Sequence, residues 1–586
     1  MEHCRFEIPD CPAADVARLQ RELGVSDPLA QVLVRRGLAE PASARRFLDG
    51  EAEHSPQAFA DIDRAVQSIM SHLSGGGRIT IHGDYDVDGI CSTAVLVRAL
   101  RELGGDVDSY LPDRAGDGYG LNQRTVERLA ARGTRLLVTA DCAITAVEEV
   151  ARARELGIDV VVTDHHAPRA DGTLPLAPIV HPAVCGYPFT ELCATAVAYK
   201  LAQAVFAAAG RDPEDLRGDL DLVALATIAD VVPLLGENRA LVRRGLRTLA
   251  GTAKPGLRAL MSVAGIDPAT VNERAVGFAL APRLNAAGRL YRADAALELI
   301  LTQDGARAAQ IAQELDSANR ERREVEQRIR FEAEAQLAAL PERAAYVLAG
   351  EGWHAGVIGI VASRLVERSG RPVVMIALEG DRGRGSGRSV DSFDLLAGLS
   401  ACGEHLLSFG GHRAAAGLEI ERERVGDLAG ALDAHARRVL APGDLVAVER
   451  VDAVVGGEDV GMALAEELQS LSPFGRGNPG VSLLLADATF ADARPMGEGR
   501  HVRFTVSSRG TRARAVAFGN GGRLPVDDGA PAQATFTLEV NEWNGVSEPR
   551  LVLRRAQPLA ESPPTPAAGA QVAEREDDEL VLFALP

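Results

Sequence analysis

The chain has 586 residues, 46% of them apolar and 25% charged, with a net charge of −19. At roughly 150 residues per domain this makes about four folding units. That excludes a peptide hormone, a knottin or a single zinc module, and the ordinary apolar fraction excludes a disordered chain. The net charge announces no nucleic-acid partner, so any such surface has to be local.

Only two cations are lysines, Lys200 and Lys254, a bias read as genome composition rather than selection for forked phosphate contacts. The seven cysteines are scattered and include no CxxC pair, so neither a disulfide framework nor a zinc ribbon is indicated. No basic stretch followed by an apolar one opens the chain, and no run of about twenty uncharged apolar residues occurs. The expectation is a soluble cytoplasmic protein that does not touch membranes.

Residues 1–50 read as a leader of short polar helices. From residue 51 a strand-then-helix rhythm begins. RITIHG (78–83) is a short apolar strand, and ICSTAVLVRALREL (90–103) is a helix stopped by Gly104 and Gly105. RLLVTAD (135–141) and IDVVVTD (158–164) repeat the pattern. Strands apolar on both faces and alternating with helices predict a parallel sheet covered on both sides. Residues 191–310 are mostly helical, giving a first domain over 51–303. The charged stretch 304–340 predicts a long connecting helix. A second α/β domain follows over 341–445, with strands AAYVLAG and PVVMIAL around the helix VIGIVASRLVERSG. Alternating strands over 446–558, separated by Gly-rich turns, predict a small β-barrel, and 559–586 reads as a disordered acidic tail.

Ligands in parallel α/β sheets bind beyond the carboxyl ends of the strands. Here those ends carry His82, Asp84, Asp86 and Asp88, then Asp141, then Asp164, His165 and His166, while Asp230 sits in the apolar run DLVALATIADVVPL. Each segment alone reads equally as a solvated turn or a helix cap. Together they form a crevice of like charges that would repel and raise one another's pKa values, a conflict that divalent cations remove. Oxygen and imidazole donors without cysteine suit Mg²⁺ or Mn²⁺. Two such ions about 4 Å apart activate a water and clamp a phosphate during in-line displacement. Neither a GxSxG elbow nor an HExxH helix is present, and Cys142 lacks a basic partner in sequence, so no side-chain nucleophile is expected.

HGDYDVDG, TADCAIT, VVTDHH and ALATIADVVPL, in this order, resemble the four motifs of the DHH phosphoesterases. YLPDRAGDGYGL, LLGENRALV, APRLNAAGRL, GWHAGVIGIVASRL, GSGRS and FGGHRAAAG narrow the resemblance to the RecJ branch, single-strand-specific 5′-to-3′ exonucleases. It spans residues 45–555. Two departures stand out: Ala143 where the branch usually has glycine, and Thr195 with Ala196 where glycine-containing sequences are common.

The resemblance implies an α/β DHH domain joined by the long helix to a DHHA1-like domain, with a C-terminal OB-like barrel. It implies two divalent cations, Mn²⁺ or Mg²⁺: His82 and Asp86 on one, Asp88 and His165 on the other, Asp141 bridging and Asp230 completing the second. The residue types agree but do not by themselves assign ligands to individual ions. Catalytic roles fall to Asp84, Asp141 and His166, with Asp84 and His166 left for water activation, orientation or substrate contact. Substrate contacts are implied for Arg283, Asn285, Arg289, Ser386, Arg388, Gly410, Gly411 and His412. The Gly-rich stretches around the last five are read as phosphate-approaching loops, and His354 equally as a helix cap.

In the barrel, residues 493–516 carry six arginines, Arg503 and Arg512 among them, against the single acid Glu498. With Phe504 and Phe518 beside it, this stripe is read as a surface that tracks a strand's backbone and stacks its bases; Phe474 is a second candidate platform, more simply core. The expected partners are single-stranded DNA and a single-strand-binding protein or helicase, and the expected state is a monomer. A small-nucleotide phosphodiesterase and a non-catalytic DNA-binding scaffold are the competing readings. The length of the chain and the extra barrel speak against the first, the intact acids and histidines against the second.

Overall fold

The structure is a computed structural model, and residues 4–113, 120–290, 293–543 and 546–559 are described. The strand β1 (Cys4–Glu7) and the helices Ala13–Leu23, Asp27–Arg35 and Pro41–Asp49 form the leader. A five-stranded sheet follows, built of β2 (Ile79–His82), β3 (Val107–Tyr110), β4 (Leu136–Thr139), β5 (Asp159–Thr163) and β6 (Ile179–Val180). The order is β3-β2-β4-β5-β6 and every pairing is parallel.

Every residue of β2 and β4 is buried, as their unbroken apolar character demands. Because β2, β4 and β5 are neighbours, their carboxyl ends and the motifs that follow lie side by side. The edge strand β3 is absent from the sequence expectation, because Asp108 and Ser109 interrupt its apolar run. The helices Ala194–Ala208 and Leu220–Ala229 are apolar nearly all round and join the same core.

The helix Gly305–Ala339 matches the expected connecting helix, with Asp304 capping its first turn by accepting from the N–H groups of Ala306 and Arg307. It serves two cores. Ala308, Ile311, Ala312 and Leu315 pack into the first, Ile329 and Ala333 into that of the next domain. Arg322 and Glu326 form a buried ion pair between the two stretches at 2.9 Å.

The second sheet contains β7 (Tyr346–Glu351), β8 (Val373–Glu379), β9 (Arg382–Arg388), β10 (Ser408–Gly411) and β11 (Ala415–Glu421), in the order β10-β11-β9-β8-β7. The stretch GRGSGR, expected as a loop, is the central strand β9. Its glycines are there for packing: a Cβ on Gly383, Gly385 or Gly387 would stand 2.6–2.7 Å from Ile376, Leu418 or Leu395. FGGH likewise belongs to the edge strand β10 and its turn.

β12 (Ala447–Arg450) returns to pair in parallel with β1. The last sheet holds β13 (Ala453–Val455), β14 (Leu483–Met496), β15 (His501–Ser508), β16 (Thr511–Ala517), β17 (Ala532–Trp543) and β18 (Val546–Pro558), and pairing of β14 with β17 closes five of these strands into the expected barrel.

The chain divides into two compact units, one up to Ala453 plus Ala463–Val481, the other Val454–Met462 plus the chain from Ser482. Residues 463–481, inside the span expected of the barrel, therefore belong with the first unit. The tail from residue 560 lies outside the described residues. Among the described residues no helix is long and apolar enough to cross a membrane.

Candidate metal centre

The loop after β2 is built on close approach. A Cβ on Gly89 would lie 2.5 Å from the Asp84 nitrogen, and one on Gly288 would lie 2.5 Å from the Tyr85 carbonyl oxygen, so the helix Ala281–Leu290 presses directly on the motif. Asp86 caps the helix Val87–Glu102, its Oδ1 accepting from the N–H groups of Asp88 (3.0 Å) and Gly89 (3.1 Å). Asn285 fixes the same turn by accepting from the Val87 N–H at 3.1 Å.

Three overlapping donor groups result, each with its ligand atoms within 4.8 Å of one another: Asp84, Asp86 and Asp141; Asp88, His165 and Asp230; Asp141, His165 and His166. The Nε2 of His165 is buried, makes no hydrogen bond, and lies 3.3 Å from Asp141, 3.7 Å from Asp230 and 3.8 Å from Asp88. Such a set of carboxylate oxygens and an imidazole nitrogen fits hard to borderline divalent cations. His82 is fully buried at the end of β2 and joins none of the three groups. Its ring stacks on Tyr110 at 5.5 Å, and its Nδ1 lies 3.5 Å from the Cys142 sulfur. Burial, then Asp164, pushes the Cys142 thiol well up, which suits an inert packing group rather than a nucleophile.

The electrostatics follow from crowding. Burial first, then Asp88 and Asp86, push the Asp141 carboxyl well up; burial and Asp88 raise Asp86; and burial with Asp88 brings Asp230 to about 8. Burial lowers His165. Burial also works against a charged His166, but the hydrogen bond from its Nδ1 to Asp164 at 2.8 Å outweighs that and raises it to about 9. On Asp164, burial is opposed and outweighed by His166, so this carboxyl titrates below its usual range.

Two residues support the centre in ways the sequence reading does not assign, since it places Asp164 only among the strand-end acids and Thr195 only among the departures. Asp164 Oδ1 accepts from the N–H groups of His165 (2.7 Å) and His166 (3.1 Å), and Oδ2 from that of Ile144 (2.9 Å), fixing both histidines. Thr195 donates its N–H (2.8 Å) and hydroxyl (2.6 Å) to Asp88 Oδ1, while the Ala194 N–H gives 2.7 Å to Oδ2. Asp88 thus sits at the positive N-terminus of the helix Ala194–Ala208. The signal for Asp164 is its place between a strand end and two histidines. Thr195 is 107 residues from Asp88 and leaves no local trace.

Three family models match the chain: DHH family, N-terminal domain, over 78–227; DHHA1 domain over 342–438; and RecJ OB domain over 451–555. The single-stranded-DNA-specific exonuclease RecJ of Bacillus subtilis (strain 168) is 38% identical over 565 residues, covering 94% of this chain and 70% of its own. The chain belongs to the RecJ family. Escherichia coli (strain K12) RecJ is 34% identical, covering 91% of this chain and 96% of its own. The crystal structure of Thermus thermophilus RecJ in complex with Mn²⁺ superposes with a TM-score of 0.83 at 32% identity, over 95% of this chain and 80% of that one.

For a RecJ chain, the remaining candidates fall into three places. Beside the metal domain, Ser386 and Arg388 project from β9 over the start of the helix Ala355–Ser369, where a Cβ on Gly359 would meet Ser386 Oγ at 2.8 Å and Arg388 at 3.0 Å. Arg289 reaches the same helix, donating to the Gly356 carbonyl at 3.0 Å, and His354 caps it, accepting from the Gly356 N–H at 3.1 Å. Arg283 is committed elsewhere, to Asp316 at 2.9 Å and the Ala279 carbonyl at 2.8 Å. Gly410, Gly411 and His412 lie exposed along and just beyond β10.

The barrel departs further from expectation. Phe504 is core, packed on Phe490 at 5.0 Å, whereas Phe518 is 47% exposed and meets His501 edge-on at 5.2 Å. Acids from two other strands and from the short helical turn Gly457–Asp459 reach into the arginine stripe: Arg512 pairs with Asp492 (3.0 Å), Arg514 with Glu548 (3.2 Å) and Arg509 with Glu458 (3.1 Å). Arg494 and Arg503 instead stand directly opposite each other across β14 and β15. Phe474 is half-buried and lies in a turn of the first unit, outside the barrel.

Proposed function

We propose that the chain is a single-stranded-DNA-specific exonuclease that hydrolyses phosphodiester bonds from the 5′ end with two divalent cations, Mn²⁺ or Mg²⁺, in DNA repair and recombination. The observation that carries this reading is the convergence of Asp84, Asp86, Asp88, Asp141, His165 and Asp230 in one crevice. The Bacillus subtilis and Escherichia coli relatives are named single-stranded-DNA-specific exonucleases, and the Thermus thermophilus structure holds Mn²⁺. A non-catalytic scaffold would gain nothing from so many mutually repelling buried carboxylates.

In this reading Asp88, His165 and Asp230 hold one cation, Asp84 and Asp86 face the other, and Asp141 serves both. The bound pair supplies an acidified water and positive charge for the phosphate oxygens. The protein does the rest. Asp164 and Thr195 hold His165 and Asp88 in register, so the donors are aimed before a substrate arrives. His166, oriented by the hydrogen bond between its Nδ1 and Asp164, is placed to contact the nonbridging oxygens. Arg388, Ser386 and the N-terminus of the helix Ala355–Ser369 grip a phosphate of the strand, with Arg289 tied to that helix and Asn285 and Arg283, on the same helix as Arg289, bracing the substrate wall beside it. Gly410, Gly411 and His412 line the approach, and Arg503, with Arg512 in a lesser part, draws in longer strands.

The same reading takes the enzyme as monomeric and cytoplasmic, its buried cysteines 91, 142, 185, 193 and 402 being free thiols that suit a reducing compartment. A single-strand-binding protein or helicase is its protein partner. The test is the product ladder from end-labelled single strands with Mn²⁺ or Mg²⁺. Mononucleotides released from a free 5′ end, resistance of blunt duplex, and loss of about two orders of magnitude or more in Asp141→Ala are expected. Equal digestion of 5′-blocked and 3′-blocked strands contradicts the polarity.

A further inference from the structure

Asp230 ends the helix Leu220–Ala229, and the residue after it, Val231, has φ +59° and is 58% exposed. A β-branched side chain adopts the left-handed region only where the surroundings hold it there. The local sequence thus disfavours the conformation that presents this carboxylate, and something else has to maintain it.

What lies against the loop is a segment 245 residues further on, between the second sheet and the barrel. In the turn Pro473–Asn478 the Gly475 N–H donates to the Asn478 carbonyl at 2.8 Å, and the Asn478 N–H returns the bond to Gly475 at 3.1 Å. The Asn478 side-chain amide ties the turn to the carbonyls of Leu471 and Pro473, both at 2.8 Å. The tip fits the Asp230 loop closely. The Leu234 N–H donates to the Arg476 carbonyl at 2.8 Å, and the Arg476 guanidinium reaches the Val231 carbonyl at 3.5 Å. A Cβ on Gly475 would lie 2.8 Å from Leu234, and one on Gly477, whose φ is +76°, 3.1 Å from Leu235.

The base of the turn is anchored as firmly. Arg239, 1% exposed, donates to the carbonyls of Leu471 (2.7 Å), Ser470 (3.0 Å) and, in the leader, Phe47 (2.8 Å), and stacks on the Phe47 ring at 4.1 Å. Glu273 accepts from the Ser472 hydroxyl at 3.1 Å and the Phe474 N–H at 3.0 Å.

We propose that the turn Pro473–Asn478, acting through Arg476, is a positioning element of the metal centre that holds the 230–235 loop so that the Asp230 carboxylate stays aimed at His165 and Asp88. This rests on the reading of Asp230 as a metal ligand. Arg476 touches no reacting group; it acts through the backbone of the residues that follow the ligand, at Val231 and Leu234.

The sign of one measurement separates this from a simple charge effect. Removing a cation beside a carboxylate makes the site more negative and tightens the binding of Mn²⁺. Removing a positioning interaction weakens it, by about tenfold for an outer group of this kind. Mn²⁺ is titrated calorimetrically into the metal-free full-length chain and its Arg476→Ala, Arg476→Lys and Asp230→Asn variants, with thermal melts of each. Arg476→Ala is expected to weaken one of two sites about tenfold with the melt unchanged, and Arg476→Lys, which keeps a donor for the Val231 carbonyl, to restore most of the affinity. Saturating Mn²⁺ then recovers the turnover of Arg476→Ala. Unchanged or tighter binding in Arg476→Ala, or no recovery with lysine, overturns the proposal. Asp230→Asn binding Mn²⁺ as the parent does would instead sink the metal reading of Asp230.

Discussion

Ala143 holds φ +83°, two residues after Asp141 at φ +69°. The left-handed region puts a Cβ too close to the following carbonyl oxygen, at about 1–2 kcal/mol for an ordinary residue, so glycine is the natural occupant and alanine carries strain beside the metal centre. Ala143→Gly is therefore expected to raise stability by up to about 1 kcal/mol, the gain being trimmed by the greater freedom of glycine in the unfolded chain. Thermal or urea unfolding of the two chains checks it, and a less stable variant would mean the strain is relieved some other way. Thr195 makes the opposite case, a departure from the family pattern that adds hydrogen bonds. Its hydroxyl is one of three donors on Asp88. Thr195→Val keeps the shape and removes that donor, so about a tenfold loss of Mn²⁺ affinity is expected, read by calorimetry with the melt as control.

At the scale of elements, the parallel strands β2, β4 and β5 deliver their acids to one edge of the sheet, and without cations the crowding is a liability. Asp230 titrates near 8 in the folded chain against about 4 when unfolded, and Asp141 and Asp86 are displaced in the same direction. The folded chain then holds protons that the unfolded chain has released, so stability falls as pH rises from about 4 to about 8. His166 adds to the slope. Its folded value near 9 lies above the unfolded value of about 6.5, so its contribution is complete below the latter and lost as pH passes the former. The metal-free chain is therefore expected to melt progressively lower between pH 5 and pH 9, with Mn²⁺ raising the melt more at pH 8 than at pH 6. A chelated sample whose melt climbs with pH over that range would show that the acids are not crowded in solution.

For the molecule as a whole, the barrel's part turns on Arg494 and Arg503. Like charges directly opposite on neighbouring strands destabilise a sheet, and among the described residues neither arginine has an acidic partner. A repulsion kept in place while the neighbouring arginines are paired points to an anionic ligand. The double substitution Arg494→Gln with Arg503→Gln should therefore stabilise the barrel slightly. It should also lower the salt dependence of single-strand binding by about 1.4 log units per log unit of salt, about 0.7 for each phosphate no longer neutralised. Anisotropy across a salt series measures the slope; an unchanged slope would mean the pair is solvated surface.

Local patterns were legible in the order of residues alone. Unbroken apolar strands, period-two barrel strands and a capped 35-residue helix follow from side-chain periodicity, and acids at the ends of strands have to converge once those strands are parallel neighbours. What depends on distant segments meeting was settled only by the folded chain. The glycines of β9 read as phosphate cradles, because their reason, close packing on Ile376, Leu418 and Leu395, lies in other elements. The arginine stripe read as uncompensated because Asp492, Glu548 and Glu458 reach it from outside the counted stretch. Thr195 on Asp88 and Arg476 on the Asp230 loop are pairings across 107 and 245 residues. No periodicity records such pairings, since they are fixed by how whole elements pack and not by the order of residues within any one of them.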